Sequence, residues 1–205
     1  MKTALLIGCG GDRAKNIVKG CYNTHDKIYN IGSTPIDTKE FPKAENIYID
    51  WRKFDIQTTH QISKDIKDIN FIFFNQNGSS LSQDVFIDIL KTIDIWVLIK
   101  RWSQTYWASC QFPYALIKSI EHELTDNTKI GWMLSSYIDC NQKDVEQYPD
   151  YSGNKYTNYL MMKSFNTKYK CFGINPDFSK NNITQTIENI CNETEECDGQ
   201  VFGID

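Results

Sequence analysis

The sequence predicts an α/β protein with a doubly wound, mostly parallel sheet of about seven strands and helices on both faces. Short apolar runs bounded by turn residues recur along the 205 residues, and such runs are typical of strands buried on both faces. Segments with helical spacing separate most of these runs, which favours right-handed βαβ units. The predicted strands are 4–7, 27–31, 46–49, 71–74, 130–134, 171–174 and 201–204.

The helical segments follow from the spacing of apolar residues. Ala14, Ile17, Val18 and Cys21 fall on one helical face. Segments 56–69 and 112–124 have the same spacing, and the latter carries a proline near its first turn. Segment 32–45 contains two prolines and predicts a loop where a crossover helix would be expected. The length fits a single domain over residues 1–205.

Composition excludes several functions. The net charge is −4 with mixed signs along the chain. The chain therefore has no basic stripe of the kind that would indicate a nucleic-acid partner. No apolar run approaches the ~20 residues that span a bilayer, and the N-terminal run is too short for a signal peptide. We therefore expect a soluble, cytoplasmic protein. The seven cysteines show no CxxC pair and the three histidines no HxxxH pattern, so we expect reduced thiols and no metal site.

A glycine-rich turn follows the first predicted strand. Residues 5–14 read Leu-Leu-Ile-Gly-Cys-Gly-Gly-Asp-Arg-Ala, which is the context of a dinucleotide-binding turn in a Rossmann-type sheet. Gly8 and Gly10 would let the backbone approach a pyrophosphate at the helix N-terminus. Asp12 would repel phosphate unless Arg13 compensates. An ordinary tight turn, or the S-adenosylmethionine turn of a methyltransferase, remains an alternative.

Polar residues at the ends of two further strands support a nucleotide site. Asp50 follows the third predicted strand, where its carboxylate could accept a hydrogen bond from an adenine amino group. Asn75 and Gly78 form an Asn-x-x-Gly turn after the fourth. Aspartate is also a common cap, and asparagine is common in turns, so each cue alone is weak.

Three Tyr-x-x-x-Lys pairs place a phenol and an amine one helical turn apart: Tyr114/Lys118, Tyr151/Lys155 and Tyr159/Lys163. Tyr114 precedes the fifth predicted strand. Tyr159 leaves too few residues for a helix to cross back to the sixth strand. Tyr151 leaves enough, and it follows Ser136, at the end of the fifth strand, by fifteen residues.

Taken together, these elements resemble the short-chain dehydrogenase/reductase family, with this chain a divergent and shortened member. The strand ending in Ser-Ser, the Tyr-x-x-x-Lys pair and the Asn-x-x-Gly turn occur in the family's order, and the resemblance covers most of the chain. It implies hydride transfer between a nicotinamide, NAD or NADP, and a carbonyl or alcohol substrate. Tyr151 would transfer the proton, Lys155 would lower its pKa and hold the nicotinamide ribose, and Ser136 would bind the substrate oxygen.

The chain also departs from the family pattern. Asp12 and Ala14 stand where the family has glycines, the relay asparagine is absent with Ser109 nearest its place, and the region for covering the substrate is short. These departures favour an alternative, a non-catalytic nucleotide-binding or scaffold protein descended from the family. The resemblance also implies a homodimer or homotetramer.

The residues after the second predicted strand bear on the choice of cofactor. An NAD-preferring site usually has an acid there, which would repel a 2′-phosphate. Here the first acid is Asp37, and Arg13 lies in the glycine-rich turn. We therefore expect NADP(H) to be favoured over NAD(H).

Overall fold

Seven parallel strands form one sheet in the order β3-β2-β1-β4-β5-β6-β7. The structure, a computed structural model, describes residues 1–51, 56–76, 95–135, 138, 149–175 and 183–203. The strands are β1 Thr3–Ile7, β2 Lys27–Gly32, β3 Ala44–Tyr48, β4 Ile69–Phe74, β5 Lys129–Met133, β6 Lys170–Ile174 and β7 Val201–Phe202. The predicted fold class is confirmed. The strand order reverses between β1 and β4, and ligands of open α/β sheets bind at this switch point.

Helices lie on both faces of the sheet. They are α1 Lys15–Tyr22, α2 Ile56–Asp65, α3 Ile95–Tyr106, α4 Phe112–Ser119, α5 Pro149–Phe165 and α6 Ile183–Cys191. A 3₁₀ turn, Asp12–Ala14, leads into α1, and a π-helical turn, Trp107–Gln111, joins α3 to α4. No helix within the described ranges is both long and apolar enough to cross a bilayer.

Alternate strand residues point to two separate layers of the core. Leu5 and Ile7 pack in a cluster with Leu116 of α4 and Met162 of α5. Ala4 and Leu6 of β1 face the opposite layer, where α1 and α6 contact each other. Burial of β1 on both faces explains why its sequence is a continuous apolar run.

Three elements differ from the sequence prediction in ways that have a clear physical reason, and the other strand ends differ from it by no more than two residues. The β3 strand is displaced from 46–49 because it lies at the sheet edge, where Glu45 and Tyr48 are exposed and polar residues are tolerated. Helix α2 ends at Asp65 rather than continuing to 69, since Asp68 takes a positive φ of 56° and β4 then begins. Segment 112–124 is α-helical to Ser119 and has a 3₁₀ turn at Glu121–Glu123, and it continues a longer helical path from α3.

Candidate active site

The glycine-rich turn joins the carboxyl ends of three neighbouring strands. Gly8 has a φ of +74°, a conformation that other residues rarely adopt. Its N–H donates to the Ile31 carbonyl of β2 at 2.8 Å, and its own carbonyl accepts from Asn75 Nδ2 at 3.0 Å. The predicted residues Gly8 and Asn75 therefore meet at the switch point.

Gly10 lies against the loop that follows β2. A Cβ on Gly10 would overlap the Thr34 carbonyl group. Asn30 holds this contact, because its Oδ1 accepts from the Cys9 N–H at 3.3 Å and its Nδ2 donates to the Thr34 carbonyl at 3.0 Å. Gly10 is thus required by the packing of the chain itself. A Cβ on Gly11 would have no neighbour within 4 Å among the described atoms, so the open side of the turn lies there.

The loop between β2 and β3 is held by side-chain amides in place of a helix, which confirms the predicted absence of a crossover helix there. Asn46 Oδ1 accepts from Asn30 Nδ2 at 2.9 Å and from the Ile36 N–H at 2.8 Å. Asn46 Nδ2 donates to the Ile36 carbonyl at 3.0 Å. These asparagines fix the position of the loop relative to the glycine-rich turn, and sequence reasoning did not identify them.

Gln76 lies beside Gly8, just beyond the end of β4. Its side chain is buried, and neither its Oε1 nor its Nε2 has a hydrogen-bond partner within the described part of the chain. The Gln76 Cγ lies 3.2 Å from the position that a Cβ on Gly8 would occupy. A buried amide without partners costs about 1–3 kcal/mol, so this side chain is suited to a polar ligand at the switch point.

The remaining predicted cofactor residues are placed only in part. Asp50 is half-buried two residues beyond the end of β3. The backbone of Arg13 lies in the 3₁₀ turn before α1, but its side chain is outside the described atoms. Gly78 and Ser136 lie outside the described residues altogether. Ser135, which precedes Ser136, is buried just beyond β5.

Tyr151 and Lys155 lie one turn apart at the beginning of α5. Tyr151 is half-buried and Lys155 is 2% exposed. The Lys155 Nζ donates to the Met133 carbonyl, at the end of β5, at 2.7 Å, and it lies 5.5 Å from the centroid of the Tyr151 ring. Burial lowers the pKa of Lys155 to about 7, and interaction with Cys110 offsets a smaller part of this effect.

The other two Tyr-x-x-x-Lys pairs have exposed lysines. Lys118 binds Glu121 Oε2 at 2.9 Å, and Lys163 donates to the Gly199 carbonyl at 3.1 Å. Neither environment desolvates the amine as the Lys155 environment does. Lys155 is therefore the one buried lysine of the three pairs.

The π-helical turn packs against α5 and brings several buried polar atoms together. Cys110 Sγ contacts the Asn154 carbonyl at 3.7 Å. Ser109 Oγ, Asn154 Nδ2 and Asn158 Oδ1 are buried, and each lacks a hydrogen-bond partner within the part of the chain that the structure describes.

Similarity to known proteins is seen in structure and not in sequence. No protein-family model and no curated protein matches the chain. Solved structures do match. A carbonyl reductase from Pseudomonas aeruginosa PAO1 is 11% identical with a TM-score of 0.71, covering 98% of this chain and 94% of that one. A short chain dehydrogenase family protein from Francisella tularensis is 15% identical with a TM-score of 0.69, covering 98% and 96%.

A third match is described as a Pseudomonas aeruginosa RhlG/NADP active-site complex. It is 11% identical with a TM-score of 0.70, covering all of this chain and 94% of that one. The chain thus has the fold of short-chain dehydrogenases/reductases over its whole length, which confirms the resemblance drawn from the sequence at the level of the fold. Its activity has to be argued from its own residues.

Proposed function

We propose that this protein is an NAD(P)-dependent oxidoreductase of the short-chain dehydrogenase/reductase type, acting on a small carbonyl or alcohol substrate. The observation that carries the proposal is the buried Lys155 amine, fixed on the end of β5 and one helical turn from Tyr151. A buried amine with a strongly perturbed pKa beside a phenol is typical of functional sites. The solved neighbours, which include a carbonyl reductase and an NADP complex, support the same reaction class.

The residues at the switch point fit a dinucleotide. The turn at Gly8 is open on the side of Gly11, and Gln76 offers a buried amide without partners among the described atoms. When bound, the nicotinamide would give or accept the hydride. The residues that would hold the cofactor are Gly8, Gly10, Arg13, Asp50, Asn75, Gln76, Gly78 and Lys155.

Tyr151 would give or take the proton of the substrate hydroxyl, and Ser136 would hydrogen-bond the substrate oxygen. A tyrosine with an ordinary pKa near 10 must shift by ~3 units, or about 4 kcal/mol, to act near neutrality. The protonated form of Lys155 favours the phenolate and would supply part of this energy. Its bond to the Met133 carbonyl holds the amine in place. Because its pKa lies near 7, Lys155 can also exchange protons near neutrality.

The loop after β2 supports a preference for NADP(H) over NAD(H). Strand β2 ends at Gly32, and the exposed residues that follow it carry no acid before Asp37. Arg13 in the glycine-rich turn would contact a 2′-phosphate. Replacing Arg13 with alanine should weaken NADPH binding more than NADH binding. Equal losses for the two cofactors would contradict this preference.

The decisive experiment combines cofactor binding with one conservative variant. Titration with NADPH and NADH should show saturable quenching or enhancement of cofactor fluorescence. Tyr151→Phe removes one oxygen, so cofactor affinity should survive while turnover with a panel of carbonyl substrates falls by about 10²–10⁴-fold. Tyr159→Phe, on the same helix, is the matched control and should retain activity.

Each alternative gives a different result. Saturable cofactor binding without turnover of any carbonyl or alcohol would favour the non-catalytic nucleotide-binding protein, which Asp12 and the absence of the relay asparagine also favour. No binding of either cofactor up to millimolar concentration would refute the proposal. If activity survives in Tyr151→Phe but is lost in Tyr159→Phe, the proposed position of the active site is wrong.

The exposed faces of α3 and α5 support a homodimer. Large apolar side chains are exposed on both helices, and exposed apolar surface commonly marks an interface when it forms a patch. On α3 these are Trp96, Ile99, Trp102 and Tyr106, and on α5 Tyr156 and Leu160. A second copy of the chain would cover this surface with its own α3 and α5, in an isologous contact.

A further inference from the structure

A second cluster of reactive side chains lies far from the proposed active site. Cys21 at the end of α1, His25 in the following loop and Cys191 at the end of α6 are all buried. Their ligand atoms all lie within 4.8 Å of one another. The cluster is close to Lys2 and Asn70, at the amino ends of β1 and β4, whereas the nucleotide site lies at the carboxyl ends.

The His25 ring is held through hydrogen bonds at its Nδ1. Its Nδ1 lies 3.2 Å from the Cys21 carbonyl and 2.9 Å from Thr24 Oγ1. An Nδ1–H that donates to the carbonyl leaves the Nε2 lone pair available, and a backbone carbonyl is a common partner of zinc-bound histidine. The Thr24 hydroxyl also bonds to the Cys21 and Gly20 carbonyls, at 3.1 and 3.3 Å, which fixes the loop relative to α1.

A cavity of about 80 Å³ opens next to the cluster and provides a route from solvent. His25 and Cys191 lie in its wall together with Lys2, Lys129 and Glu193. Its volume holds several waters, since one water needs about 10–15 Å³ of such space. The cavity therefore leaves room for a fourth ligand.

We infer that Cys21, His25 and Cys191 form a zinc site whose fourth position faces this cavity. Two thiolates and one imidazole suit Zn²⁺, and three protein ligands with a water in the fourth position is an established zinc arrangement. Tetrahedral bonds of about 2.3 Å to sulfur and 2.0 Å to nitrogen place ligand atoms roughly 3.4–3.8 Å apart. The donors thus need to approach one another by at most about 1.4 Å from separations of up to 4.8 Å.

Charge and protons balance at such a site. Both thiols lose a proton on binding, so each Zn²⁺ releases two protons and the metal with its two thiolates is neutral. Lys2 and Lys129 at the cavity then face an uncharged unit rather than a dication. Because α1 and α6 supply one thiolate each, bound zinc would link the two helices on this face of the sheet.

The test uses the full chain, reduced and freed of metal, with Co²⁺ as the probe. One equivalent of Co²⁺ should give thiolate-to-metal charge-transfer absorption and the intense visible bands of tetrahedral cobalt, and Zn²⁺ should displace it. Cys21→Ser and Cys191→Ser should each weaken binding by more than about 100-fold and remove charge-transfer intensity. Thr24→Val, which loosens the His25 ring, should weaken binding about 10-fold or more with the spectrum retained.

Cys171→Ala is the matched control, because it removes a buried thiol in the other layer of the core and should leave Co²⁺ binding unchanged. Circular dichroism and cofactor titration establish that each variant is folded, so loss of metal is separable from loss of structure. The inference is overturned if the reduced protein gives no charge-transfer band with Co²⁺, or if the band persists in both cysteine variants. It is also overturned if air oxidation yields a Cys21–Cys191 disulfide while the reduced pair binds no metal.

Discussion

Replacing Lys155 with methionine should make the protein more stable at neutral pH while it removes the proposed function. Lys155 is 2% exposed, and burial lowers its pKa from 10.5 to about 7. Each unit of pKa corresponds to about 1.4 kcal/mol, so at pH 7 the wild-type amine destabilises the folded state by about 4 kcal/mol. Methionine has a similar shape and needs no solvation.

The stabilisation expected for Lys155→Met is reduced because the variant loses the hydrogen bond between the wild-type amine and a backbone carbonyl. The Met133 carbonyl would lose its 2.7 Å hydrogen bond from Nζ, and a buried acceptor without a partner costs about 1–3 kcal/mol. The net expectation at pH 7 is therefore a stabilisation of ~1–3 kcal/mol. For a chain of this length that corresponds to a rise in Tm of about 2–12 °C.

The pH dependence distinguishes this cause from better packing. Because the folded-state pKa lies below the unfolded value, the unfolded state binds more protons between about pH 7 and 10.5, and wild-type stability rises with pH across that window. The advantage of the variant should be greatest below pH 7 and shrink by about 1.4 kcal/mol per unit above it.

Urea unfolding of both proteins at pH 6, 7.5 and 9 measures the difference in their free energies of unfolding. The buried thiols are present in both proteins, so their contribution to the pH dependence cancels in this difference. Lys163→Met, which removes an exposed amine from the same helix, supplies the baseline. A wild type more stable than Lys155→Met at pH 6, or a difference that does not change with pH, would refute the reasoning.

Two further predictions test the packing of the glycine-rich turn and the exposed helix faces. Gly10→Ala should lower the free energy of unfolding by about 1–3 kcal/mol, because its Cβ would overlap the Thr34 carbonyl. Gly11→Ala is the control and should leave the free energy of unfolding unchanged, because its Cβ meets nothing within 4 Å. Equal losses for the two variants in urea unfolding would argue against the close approach at Gly10. Trp102→Lys on α3 should convert a dimer into a monomer in sedimentation velocity with the fold intact, whereas a monomeric wild type would refute the proposed interface.

The core strands were predictable because burial on both faces leaves a continuous apolar run. Residues 4–7 and 171–174 lie within β1 and β6 for this reason. The edge strand β3 was displaced because Glu45 and Tyr48 are exposed and give no such signal. The α2 boundary was wrong because Ile66 and Ile69 are both buried at helical spacing, although Ile69 already belongs to β4. Periodicity alone does not separate a helix from the strand that follows it.

The site was predictable where its residues share one element and not where distant elements meet. Tyr151 and Lys155 belong to one helix, so their spacing and the position of the pair between the fifth and sixth strands were enough to propose them, and their role stays a prediction. Asn30, Asn46 and Gln76 are ordinary amides in the sequence, and only the sheet order places them beside the glycine-rich turn. Cys21 and His25 have a Cys-x-x-x-His spacing that is visible in the sequence. Cys191 joins them only because α6 packs on α1.

The distribution of buried polar atoms without partners links stability to the proposed function. Within the described chain, Gln76 contributes two such atoms at the switch point, and Ser109 with Asn154 and Asn158 of α5 contributes three near Lys155. Thr3 and Trp132 contribute the other two in that part of the chain. Each such group costs about 1–3 kcal/mol, and the desolvated amine adds about 4 kcal/mol at pH 7. A stable core could be built more simply with apolar residues at these positions. Five of the seven such atoms among the described residues belong to the four residues at the switch point and near Lys155, and the proposed function accounts for their cost if a polar ligand satisfies them when it binds.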